Sequence, residues 1–70
     1  MNIILTNHAK ERMVERGIKI EQISKCCDFP DYTISKGNKI EAYKKFENKL
    51  LKVIYLKEGK FIKIITIIWK

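Results

Sequence analysis

Seventy residues with 15 Lys or Arg against 8 Asp or Glu carry a formal charge of +7, and 46% of the chain is hydrophobic. A chain this short removes only about 60% of its unfolded surface from water, which excludes large internal cavities and two-domain clefts, while the apolar share is too high for a disordered basic tail. The longest apolar runs, 64–69 among them, fall far short of the roughly 20 residues of a membrane-spanning helix.

No leader pattern opens the chain, because Ile3, Ile4 and Leu5 meet polar Thr6 and Asn7 at once. The expectation is a single domain over residues 1–70, cytoplasmic and without a membrane. Residues 3–5 suit a short strand or an extended lead-in. Thr6 is a good N-cap for a helix over 7–16, with Gly17 as its stop. A second helix follows over 20–27, with Ile20, Ile23 and Cys27 on one face and Lys19 in place of a Ser or Asp cap; Phe29-Pro30 ends it.

From Asp31 the pattern turns to strands. Lys36-Gly37-Asn38-Lys39 and Lys57-Glu58-Gly59-Lys60 each offer a two-residue hairpin loop, and Glu47-Asn48-Lys49 offers a third turn with Asn48 able to take positive φ. Strands are predicted over 32–35, 40–46, 50–56 and 61–69, joined as an antiparallel meander. The predicted fold class is α+β: two N-terminal helices packed on one face of a four-stranded antiparallel β-meander.

Placing the last loop at Glu58-Gly59 sets Tyr55 opposite Ile62, Val53 opposite Ile64 and Leu51 opposite Thr66, a face assigned to the helices. A loop at Asn48-Lys49 adds Phe46, Ala42 and Ile40 to it, with Lys44 an unexplained polar residue among them. The other face then carries Tyr32, Tyr43, Lys45, Lys52, Ile54, Phe61, Lys63, Ile65 and Trp69, basic and aromatic together.

Cys26 and Cys27 are adjacent, so a bridge between them would be strained; Cys27 reads as a small core residue and Cys26 as its neighbour. One His and no C-x-x-C leave no basis for a structural metal, and no cofactor is implied. Much of the charge is lysine in a lysine- and isoleucine-rich composition. Only Arg12 and Arg16 are Arg, whose planar five-donor fork suits phosphate or carboxylate.

The run Thr6-Asn7-His8-Ala9-Lys10-Glu11-Arg12-Met13-Val14-Glu15-Arg16-Gly17-Ile18 concentrates the chemistry. On a helix, His8, Arg12 and Arg16 recur every four residues and form one polar row beside an apolar row of Ala9 and Met13. Such a row is equally a solvated face laced with weak Arg–Glu pairs.

This run resembles the opening signature of the domain of unknown function 4258 family, grouped with the RelE/ParE toxin superfamily. The resemblance extends through Phe29-Pro30-Asp31, Tyr43 in the second strand of the meander and Ile65-Thr66-Ile67 in the last. It implies the helices-on-sheet fold and membership of a group that includes ribonuclease toxins held in check by antitoxins. RelE-like ribonucleases generally carry basic and hydroxyl-bearing catalytic residues on the sheet and near the C-terminus, whereas this chain has no Arg in its predicted strands and stops one residue after Trp69.

If the chain is an mRNA-cleaving endoribonuclease, the metal-free route is attack by a ribose 2′-OH on its own phosphate. His8 is then the candidate base or acid, with Arg12 and Arg16 as the phosphate clamp. Tyr43, Lys45, Lys52 and Lys63 are the candidate RNA-binding residues of the sheet, the aromatics being suited to splayed bases. The alternative is a binding module without chemistry, whose apolar sheet face takes an acidic antitoxin-like protein or a second copy of the chain, or which inhibits a protein target as ParE-like proteins do. The expected partners are therefore RNA, on or off the ribosome, an acidic antitoxin-like protein, or a homodimer mate.

Overall fold

The structure, a computed structural model, describes residues 2–70; Met1, part of the predicted 1–70 domain, lies outside the described residues. Its elements are β1 (Asn2–Leu5), α1 (Asn7–Glu15), α2 (Ile20–Asp28), β2 (Tyr32–Lys36), β3 (Lys39–Phe46), β4 (Lys49–Glu58) and β5 (Phe61–Trp69). The sheet has five strands in the order β1-β5-β4-β3-β2. β2 to β5 form the expected antiparallel meander, but β1 adds a fifth strand parallel to β5, with Ile3 beside Ile62 and Leu5 beside Ile64. The four-stranded, purely antiparallel sheet expected from sequence is thus corrected to a five-stranded mixed one. β1 escaped that reading because its partner lies at the other end of the chain, and four residues carry no signal of whom they pair with.

Local chemistry accounts for the helix boundaries. Thr6 caps α1 as expected: its Oγ1 accepts from the Ala9 N–H at 3.1 Å and donates to the Ile64 carbonyl at 3.0 Å, so the residue that starts the helix also ties it to β5. The helix ends in a Schellman arrangement, with Gly17 at φ +62°, its N–H bonding to the Val14 carbonyl and the Ile18 N–H to the Met13 carbonyl. At α2 the absent Ser or Asp cap is offset from the other side. The Gln22 side-chain oxygen accepts from the Lys19 backbone N–H at 2.9 Å.

α1 lies over β1 and β5, and α2 over β3 and β4, all on one face of the sheet. Between them sits the core: Ala9, Ile18, Ile23, Cys26 and Cys27 from the helical half, Ala42, Leu51, Val53, Tyr55, Ile62, Ile64 and Ile67 from the strands. Cys26 is fully buried, as deep as Cys27, with its Sγ 3.4 Å from the Ala42 carbonyl. Helix geometry explains this: α2 lies flat on the sheet, so two adjacent positions both face strands. Desolvation pushes the Cys26 thiol up to about 11 and the Cys27 thiol up to about 12, and both remain free.

The hairpin registers differ from those expected. The loops fall at Gly37-Asn38, Glu47-Asn48 and Gly59-Lys60, since Lys36 pairs with Lys39, Phe46 with Lys49 and Glu58 with Phe61. Two of these loops are displaced by one residue from the expected positions, which slides each pairing by two residues and preserves the faces. The change of face comes instead from a bulge: Tyr55 pairs with Ile64 but Ile54 pairs with Thr66, leaving Ile65 extra. Beyond it Ile67 and Trp69 turn toward the helices and Thr66 away, so Leu51 sits opposite Trp69 rather than Thr66.

Candidate functional site

The His8, Arg12 and Arg16 row lies on or at the end of α1 as expected, and the structure shows what each member does there. His8 is exposed in the first turn. Arg12 donates to the Glu15 carboxylate one turn on. Arg16 caps the helix and turns inward, its Nη1 donating to the Ile67 carbonyl while its own carbonyl accepts from Trp69 Nε1 at 3.1 Å. Arg12 thus spends its guanidinium on a surface pair, whereas Arg16 spends one nitrogen on a bolt between α1 and β5 and keeps further N–H donors. His8 and Arg16 are separated by about 12 Å along the helix axis at 1.5 Å per residue.

The sheet residues fare differently. Tyr43, Lys45, Lys52 and Lys63 all lie on the face that the helices leave open, as the alternation predicts. Tyr43 and Lys52 are directly paired across β3 and β4, and together with Glu41 and Lys36 they form a compact polar cluster. Tyr43 donates its hydroxyl to Glu41 at 3.0 Å; Lys36 and Lys52 approach the same carboxylate at 3.5 and 3.7 Å. Glu41 is only 7% exposed despite lying on the helix-free face, because these side chains fold over it. The Tyr43 hydroxyl foremost, then the two ammoniums, hold its carboxyl below the ordinary value against the opposing cost of desolvation.

Tyr32 completes the cluster. It pairs with Tyr43 across β2 and β3, and the rings stack at 4.6 Å with an 11° interplanar angle. Tyr43 is therefore covered by Tyr32 on one side and approached by the Lys52 ammonium at 5.7 Å, whereas Tyr32 is 49% exposed. Lys45 and Lys63 stay exposed at separate places, Lys45 on β3 and Lys63 near the start of β5. Glu41 was not singled out from sequence. Its signal is modest: a Glu two residues before a strand Tyr shares that strand face and can reach its hydroxyl.

Around this cluster the open face is apolar. Ile4, Ile34 and Phe61 are exposed, and Ile54, Leu56 and Ile68 are partly so. Lys36, Lys39, Lys45, Lys52 and Lys63 surround them, against Glu41, which is already neutralised by its own lysines, and Glu58. Trp69, expected on this face, belongs to the helix side because of the bulge. Lys44, unexplained by alternation, is explained by the chain end of α2: its Nζ donates to the Phe29 carbonyl at 2.9 Å and lies 3.7 Å from Asp31.

Among the described residues no three His, Cys, Asp or Glu side chains gather where a metal ion could sit, and no helix is long and apolar enough to cross a membrane. Comparison with curated proteins and with solved structures finds no match. The model of a family described as Domain of unknown function (DUF4258) matches residues 5–69, from the last residue of β1 to the last of β5, and the chain belongs to that family.

Proposed function

We propose that the protein is a toxin-like binding module of RelE/ParE-like kind, whose open sheet face docks an acidic, amphipathic, antitoxin-like protein segment. The observation that carries this reading is the aliphatic strip of Ile34, Ile54, Leu56 and Ile68, uncovered by either helix and framed by lysines. Exposed apolar surface of this kind favours a protein partner. The lysine frame favours an acidic one, because like-charged partners are repelled and opposite charge speeds encounter.

Two features favour a protein over RNA on this face. Tyr43, the central aromatic, is occupied on its ring by Tyr32 and at its hydroxyl by Glu41. Between the lysines, the aliphatic Ile4, Ile34, Ile54, Leu56 and Ile68 outnumber the exposed aromatics Tyr32 and Phe61, and aliphatic side chains neither stack on bases nor pair with phosphate.

The test uses a synthetic peptide of alternating Glu and Leu, with polyglutamate as a control for charge alone. The peptide should bind, weaken with salt, and lose at least tenfold in affinity on Ile54→Thr, a partly exposed site whose change leaves the core intact. Equal binding of polyglutamate, or no effect of Ile54→Thr, refutes the docking reading. Sedimentation showing a dimer that Ile54→Thr dissociates refutes it too, by giving the face to a second copy.

The endoribonuclease reading keeps one supporting observation, the exposed imidazole of His8 one turn ahead of Arg12. Induction in bacteria should then give growth arrest and new transcript ends that His8→Ala abolishes. Arrest that persists in His8→Ala but is lost in Ile54→Thr supports docking instead.

A further inference from the structure

On the helix side, at the end of the molecule away from the open face's exposed Phe61, a cleft of about 460 Å³ opens between the α1–α2 corner and the β3–β4 turn. This volume lies within the range of small-molecule sites. Its aromatic wall is Trp69, a ring held by a hydrogen bond and an edge-on aromatic contact and met on its face by a cation. Its Nε1 donates to the Arg16 carbonyl at 3.1 Å, Phe46 packs edge-on at 6.4 Å and 86°, and the Lys49 ammonium sits 5.4 Å from the ring centroid. A ring held in this way loses little freedom when a ligand stacks on it.

The polar lining is cationic and under-used. Arg16 spends one guanidinium nitrogen on the Ile67 carbonyl, leaving further N–H donors of its fork. Gln22 uses its side-chain oxygen on Lys19 and keeps its amide N–H groups. Lys49 is exposed and bound to the cleft only through the indole face. Glu47 supplies the cleft's single acid, on a turn residue with φ +56°. The corresponding positions of the other two hairpin loops are Gly37 and Gly59, at φ +62° and +58°. A non-glycine residue in that conformation is strained, and such strain concentrates where a side chain has a task.

We propose that this cleft binds a nucleotide unit, with the base stacked on Trp69, the phosphate held by Arg16 and Lys49, and Glu47 accepting from a base amino group. The stacking face and the cations lie side by side, which matches the joined planar and anionic parts of a nucleotide. Lys49 leaves the indole as the base arrives and turns to the phosphate, exchanging a cation–π contact for a charge-assisted hydrogen bond. The site shares no residue with the protein-docking face and stands or falls apart from it. The nucleotide can be free or part of a single strand.

Trp69 is the chain's single Trp, so its emission reports the cleft directly. Adenosine monophosphate, inorganic phosphate and a short single-stranded oligoadenylate are titrated against the intact chain, with excitation at the red edge of indole absorption where nucleotides are transparent. Saturable quenching by the monophosphate is expected, weakened at least fivefold by Lys49→Gln and more by Arg16→Gln. An oligoadenylate binding tenfold or more tightly than the monophosphate assigns the site to a strand; comparable affinities assign it to the free nucleotide. Circular dichroism checks that Arg16→Gln still folds, and Lys49→Gln, in an exposed turn-flanking position, provides the variant that does not depend on the Arg16 bolt. Absence of saturable quenching at millimolar concentrations, or binding of inorganic phosphate as tight as that of the nucleotides, overturns the proposal.

Discussion

Raising the pH from 9 to 10 should remove most of this protein's stability, and the two buried thiols are the main reason. Cys26 is fully buried and Cys27 nearly so, and folding lifts their pKa values from an ordinary 9.0 to about 11 and about 12, chiefly through desolvation. Between those values and 9 the unfolded chain has released both protons while the native chain keeps them, so stability falls as pH rises. Each pH unit in that window costs about 1.4 kcal/mol per thiol, or about 3 kcal/mol for the pair at pH 10. A core of this size supplies only about 3–5 kcal/mol. The assay is urea denaturation followed by circular dichroism at pH 7, 9 and 10, on wild type, Cys27→Ala and the double Cys26→Ala/Cys27→Ala variant. Lysine titration acts equally on all three proteins. The slope of stability against pH should be steepest in wild type, intermediate in the single variant and shallow in the double one. The same slope in all three would refute the account, and would mean that the thiols ionise within the fold.

The bulge at Ile65 sets opposite fates for neighbouring residues. Ile67→Thr should cost about 2–4 kcal/mol by placing a hydroxyl in the core, while Thr66→Val on the open face should shift urea stability by no more than about 0.5 kcal/mol. Glu47→Gly should raise stability by about 1 kcal/mol through relief of the left-handed backbone, seen as a thermal midpoint higher by roughly 4–8 °C. Glu41 should titrate below 4.5 by carboxyl NMR, its contribution to stability being present above that value and lost as pH falls through the lowered pKa. Tyr43→Phe, which removes the main hydrogen bond to the carboxylate, should move that titration upward.

Much of the fold was legible because its signals are local. The Thr6 cap, the Gly17 stop and the order of helices and hairpins each depend on residues within a few positions of one another. The open-face membership of Tyr43, Lys45, Lys52 and Lys63 was legible for the same reason: alternation survives a slip of two residues. Trp69 was misplaced because one extra residue at Ile65 inverts everything after it, and no Gly or Pro marks that position. The row of His8, Arg12 and Arg16 was also legible as a row, but periodicity places side chains without saying what they bond. Arg12 met Glu15 on its own helix, whereas Arg16 met a carbonyl 51 residues away.

The sequence by itself determined an α+β chain of two helices, the first capped by Thr6, followed by an antiparallel meander, with a basic charge concentrated in lysine. Tertiary structure decided that β1 joins β5, that both cysteines are buried, that Arg16 and Trp69 bolt the first helix to the last strand, and that a cleft opens beside them. The division follows sequence separation. Helix caps and hairpin turns are fixed by short-range backbone chemistry, while parallel pairing and side-chain partners across the domain depend on which distant surfaces meet when the core closes.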